Sequence, residues 1–79
     1  MTAAIVVQPL TKDRIVISLS PGYRAVWFKL ASGGAELVVL DNHATETTRL
    51  QVAPPEPGQS LRITTPDPNI VEILYEAAP

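Results

Sequence analysis

His43 is the one histidine of the sequence and stands between Asp41 and Glu46, so the first chemistry to weigh is metal ligation or proton transfer at that point. A transition-metal site needs several convergent nitrogen, sulfur or carboxylate ligands. One imidazole with two acids on a short turn does not make such a set, and a solvated turn histidine is the simpler reading. The same stretch, Asp41-Asn42-His43-Ala44-Thr45-Glu46, carries oxygens but lacks the ligand order and central glycine of a calcium loop. The absence of cysteine removes thiol nucleophiles, thiolate zinc sites and disulfides.

Nucleophilic catalysis would require a hydroxyl beside a base held by a third group. Thr45, Thr47, Thr48, Thr64 and Thr65 are better explained by the β-propensity of a branched side chain. Glu72 and Glu76 could form an acid and base pair, yet they also fall where a strand or helix shows its solvent side. Ser32-Gly33-Gly34 and Pro57-Gly58 have neither the spacing nor the following helix of a phosphate cradle. The sequence thus assigns no catalytic residue, no metal ligand, no cofactor and no small-molecule substrate, and it leads us to expect a protein that is not an enzyme.

The elements that would position any functional group are short and β-like. Segments rich in Val, Ile, Leu and Thr alternate with turn signals, which is the strand pattern. The expectation is an all-β fold, a small antiparallel sandwich or barrel of about seven short strands in a single domain over residues 1–79. The first strand covers Ala3 to Gln8 and ends at Pro9; the second, Arg14 to Leu19, places Ile15, Ile17 and Leu19 on one face. The third follows Ser20-Pro21-Gly22 and runs from Tyr23 to Ala31. Ser32-Gly33-Gly34 reads as a hairpin connection because adjacent glycines accept positive φ.

Glu36 to Leu40 is the fourth strand, and Leu37, Val38, Val39 and Leu40 make it apolar on both faces, as for a strand covered from both sides. Thr45 to Val52 is the fifth and alternates Thr48, Leu50 and Val52 with Thr47, Arg49 and Gln51; Ser60 to Thr65 is the sixth, with Leu61 and Ile63 inward. Ile70 to Glu76 is read as a strand on its β-branched content. A short C-terminal helical turn is the alternative, because Asp67-Pro68 also suits a helix start. In strand number, and in carrying a tryptophan on the third strand, the pattern resembles immunoglobulin-like sandwiches, without their paired cysteines.

Formal net charge is −2, and the eight acids and six bases are scattered singly. No basic stripe is present to neutralise phosphates, so nucleic acid is not expected as a partner. No run approaches the roughly 18 apolar residues of a membrane-spanning helix, so no membrane partner is expected. Met1-Thr2-Ala3-Ala4-Ile5 lacks the pattern of a signal peptide, which leads us to expect a protein made in the cytoplasm and not secreted by that route.

What remains is surplus apolar surface. If Val26, Phe28 and Leu30 form the core face of the third strand, Tyr23, Trp27 and Lys29 lie on the other side, where aromatic residues anchor interfaces. The alternative places Trp27 in the core and Phe28 outside. With Val38 and Leu40 of the fourth strand, Tyr23, Trp27 and Lys29 are the candidate partner-binding residues. The expected function is a non-enzymatic structural or interaction subunit that self-associates or docks on a protein partner, such as a decoration or cement protein of a phage particle and so part of a virion. Two other readings stand beside it. One is a small inhibitor or adaptor that binds one host protein through a strand edge or the Trp27 face; the other is a carbohydrate-binding-like module or enzyme subunit.

Overall fold

The computed structural model describes residues 5–77. Within them the chain forms seven antiparallel strands and no helix: β1 (Ile5–Thr11), β2 (Arg14–Leu19), β3 (Arg24–Lys29), β4 (Ala35–Leu40), β5 (Glu46–Val52), β6 (Gln59–Asp67) and β7 (Ile70–Ala77). One sheet has the order β1-β2-β7-β6 and the other β3-β4-β5. In the immunoglobulin fold the second strand lies beside the fifth and the third beside the sixth. Here β2 pairs with β7 and β3 with β4, so the likeness stops at strand number and Trp27.

Two strands outrun their expected ends for one physical reason. β1 continues through Pro9 to Thr11, and β6 continues through Pro66 to Asp67. Both are edge strands of the larger sheet, where a residue without an N–H can face away from the ladder. The register shifts at each proline, between Pro9 and Thr11 and between Thr64 and Asp67, as a bulge does. Ala3 and Ala4 of the expected first strand lie outside the described residues.

The last segment is a strand, as expected. The alternative helix start does not form because Asp67 Oδ1 accepts the Asn69 amide at 2.9 Å, which closes a tight turn and returns the chain between β2 and β6. β7 then pairs with β6 from Ile70 to Ala77 and with β2 from Ile70 to Leu74, and interstrand bonds satisfy its backbone in place of a helical ladder.

Alternation sorts the side chains. Ile17 and Leu19 of β2, Ala35, Leu37 and Val39 of β4, Val52 of β5, and Val71 and Ile73 of β7 form the buried core. Ile15, Leu50, Leu61 and Ile63 pack against it, as their spacing implies. On β3 the facing is the reverse of the first arrangement considered for that strand. Tyr23, Ala25 and Trp27 pack against the core, whereas Val26 and Phe28 are 45% and 48% exposed.

Pairing explains that choice. Trp27 is opposite Leu37 and Ala25 opposite Val39, while Phe28 is opposite Glu36 and Arg24 opposite Leu40. Directly opposed residues share a face. The face that carries Glu36 and Arg24 cannot be the dry one, because an isolated buried charge is too costly. Phe28 therefore goes outside with Glu36.

Candidate protein-docking surface

The smaller sheet is held by two hairpins of the same plan. In the β3–β4 loop the Gly33 amide donates to the Leu30 carbonyl and the Leu30 amide to the Gly34 carbonyl, both at 2.9 Å. In the β4–β5 loop the Ala44 amide donates to Asp41 and the Asp41 amide to Thr45, both at 3.0 Å. Each loop needs a left-handed residue at its fourth position, and the φ values are +95° at Gly33 and +60° at Ala44. Ala44 is held there by the Asp41 side chain, whose Oδ1 accepts the amides of His43 at 2.8 Å and Thr45 at 3.0 Å. Those two bonds hold the Asp41 carboxyl below its ordinary pKa. Asp41 is thereby engaged with its own loop and Glu46 with Arg49, so neither is organised around His43. Among the described residues no group of His, Cys, Asp or Glu is arranged to hold a metal ion.

These hairpins present one outward face. Along β3 it carries Arg24, Val26 and Phe28, along β4 Glu36, Val38 and Leu40, and along β5 Arg49 and Gln51. Val38 lies between its cross-strand partners Val26 and Arg49 and is only 8% exposed although it points away from the core. Arg49 bridges Glu36 and Glu46, which raises the guanidinium pKa and lowers that of Glu46. The result is an apolar strip of Val26, Phe28, Val38 and Leu40 with one flank closed by a satisfied charge network and the other, at β3, open.

Of the residues singled out from sequence, Val38 and Leu40 lie on this face. Tyr23 and Trp27 do not, being packed on the core side, and Lys29 lies at the end of β3, exposed. Arg24, Val26 and Phe28 complete the face; none of them was among the candidate partner-binding residues, although the alternative facing of the third strand already put Phe28 outside. The signal for them was present in the hairpin, since a three-residue loop closed by Leu30 and Gly34 sets Phe28 against Glu36.

The other concavities are less organised. An apolar cleft of about 280 Å³ opens between the sheets and is lined by Val7, Ile17, Leu50, Val52 and Ile73. A groove of about 370 Å³ adjoins it, lined in part by Lys12, Asp13, Glu56 and Gln59. Tyr75 lines both, and its hydroxyl donates to the Ala53 carbonyl at 2.6 Å. Partial burial raises its pKa. In the groove Gln59 Nε2 donates to Asp13 Oδ1 at 3.4 Å, and the cleft is lined mainly by apolar side chains. Comparison with known protein families, curated proteins and solved structures returns no match for this chain.

Proposed function

We propose that this chain is a non-enzymatic interaction domain that docks on a protein partner through the outer face of β3, β4 and β5. The observation that carries the reading is the pair Val26 and Phe28, about half exposed on a face that already contains Val38 and Leu40. Full burial of such side chains is worth roughly 1.5–3 kcal/mol each, and what is still exposed of each would contribute a fraction of that on docking. A monomer gains nothing from presenting them together. Decoration of a larger particle is one form the docking could take, and adaptor or inhibitor action on a single protein is the other; native mass and copy number in the complex separate the two.

The test places a photo-crosslinking amino acid at position 28, with Thr64 as an exposed control on β6, and treats an extract of the source cells. The expected result is one saturable adduct from position 28 and none from position 64. The adduct partner, once purified, should lose affinity for Phe28→Glu by about tenfold or more, as hot-spot truncations do. Equal labelling from both positions, or unchanged affinity for Phe28→Glu, overturns the reading.

A further inference from the structure

β3 is an edge strand of its sheet, and the hairpin bonds determine which of its backbone groups are left over. Leu30 and Gly34 form a bonded pair, and bonded pairs alternate along an antiparallel ladder. Arg24, Val26 and Phe28 therefore direct their N–H and C=O toward β4, and Ala25, Trp27 and Lys29 direct theirs to the open edge. An extended segment is the ligand that can satisfy a row of such groups.

Charge selects which segment. Three of the six cationic side chains, Arg14, Arg49 and Arg62, are paired with carboxylates. Among the described residues Lys12, Arg24 and Lys29 have no ion pair, and two of these three lie at the two ends of β3. β3 itself has no acid, although the chain as a whole is negative. A second copy pairing edge to edge would bring four cations together with no carboxylate between them, so self-pairing through this edge is disfavoured.

Resting on the docking reading above, we propose that the partner supplies an extended segment that adds antiparallel to β3, with an acidic residue near each end and apolar residues at alternate positions between. The residue opposite Arg24 falls on the outer face and the residue opposite Lys29 on the inner side. This fits because Arg24 and Lys29 are five positions apart, an odd offset, and a strand alternates. Residues opposite Val26 and Phe28 extend the apolar strip. The partner strand therefore has the order acid, apolar, any, apolar, any, acid. The cations at the ends of β3 keep other edges away and select this one.

The probe is the capped peptide Thr-Glu-Val-Thr-Ile-Thr-Glu-Thr, with a control in which both Glu are Lys, titrated into the full-length isotopically labelled protein. The Glu peptide is expected to slow amide exchange at Ala25, Trp27 and Lys29 by about tenfold or more at saturation, with no change along the free edge of β5. The Lys peptide is expected to bind at least about tenfold more weakly. Arg24→Glu combined with Lys29→Glu should invert the preference, and Ala25→Pro should abolish binding while leaving the β3–β4 ladder intact, since the amide it removes points to the open edge. Equal binding of both peptides, protection at β1 or β5, or no binding of either peptide overturns the proposal. So does charge-dependent binding to phosphatidylserine vesicles without peptide binding, which would make this a lipid-facing surface. If the crosslink from position 28 persists while the Glu peptide fails, the strand proposal falls alone; if both fail, the docking reading falls with it.

Discussion

The two faces of the β3–β4–β5 sheet are built from nearly the same residues and meet opposite fates. On the inner side Trp27, Leu37, Val39 and Leu50 meet the other sheet, and Leu37 and Val39 are fully buried. On the outer side Val26, Phe28, Val38 and Leu40 have no second layer among the described residues, and Val38 alone is buried. Hydrophobicity does not separate these sets. One glutamate and two arginines do, because Glu36, Arg24 and Arg49 share the outer face, and a face with charges on it stays wet. The difference shows that in a two-layer domain a strand can be apolar on both sides and still have only one core side.

Charge insertion should break the comparison most sharply. Trp27→Glu places a carboxylate against the core at a partly buried position and is expected to cost up to roughly 3–5 kcal/mol, the range for losing a core aromatic, which is a large share of a small domain's stability. Phe28→Glu, one residue away, should leave the thermal midpoint within a few degrees of wild type. Equal losses in a denaturation series would mean that both faces are packed.

Truncation on β4 tests the same contrast at smaller scale. Leu37→Ala is expected to destabilise by about 2–5 kcal/mol, because it leaves a cavity at a fully enclosed position. Val38→Ala should cost about 1 kcal/mol or less, since solvent can reach the space it vacates. Urea midpoints measured at constant slope decide between them.

The hairpins keep the two faces apart by holding register, and they offer the next tests. Gly34→Ala would drive a Cβ into the carbonyl oxygen of Val52 and should destabilise more than Gly33→Ala. The latter meets only ordinary contacts with Pro54 and Pro55 and suffers the left-handed penalty of about 1–2 kcal/mol. Ala44→Gly should move the other way and stabilise by about 1 kcal/mol, because it removes that penalty at φ +60°. A Gly33→Ala variant as stable as wild type would show that the β3–β4 loop is not held in the left-handed form.

Acidification should give the smallest effect. Asp41 has its pKa lowered by the Thr45 and His43 amides, so its contribution is complete above the unfolded value of about 4 and is lost as pH falls through the lower folded value. Amide shifts of His43 and Thr45 should titrate together with the Asp41 carboxyl, with no matching change at Gly33. Independent titration of those amides would separate the carboxylate from the loop.

Much of this architecture was legible in the residues. β2 has its read boundaries, β4, β5 and β7 differ from theirs by one residue at an end, and the inward sets on β2, β5 and β6 follow from alternation between a wet and a dry face. Pro9 and Pro66 misled as strand ends because a proline is excluded only where its N–H would be needed, and edge position is a property of the sheet. Asp67-Pro68 allowed a helix locally, and pairing with β2 and β6 decided against it. The candidate surface was half legible: Val38 and Leu40 lie on it, Tyr23 and Trp27 face away from it, and Phe28 follows only when the Leu30–Gly34 closure sets it against Glu36.

The sequence by itself determined the all-β class, the turns and the period-two sorting of side chains, because these rest on φ restrictions and neighbours along one strand. Only the tertiary structure decided which strands became edges, which face of β3 met the core, and that Arg24 and Lys29 were left without carboxylates at an open edge. Those outcomes depend on which distant strands pair and on what charge arrives opposite each residue, and a single segment holds no record of either.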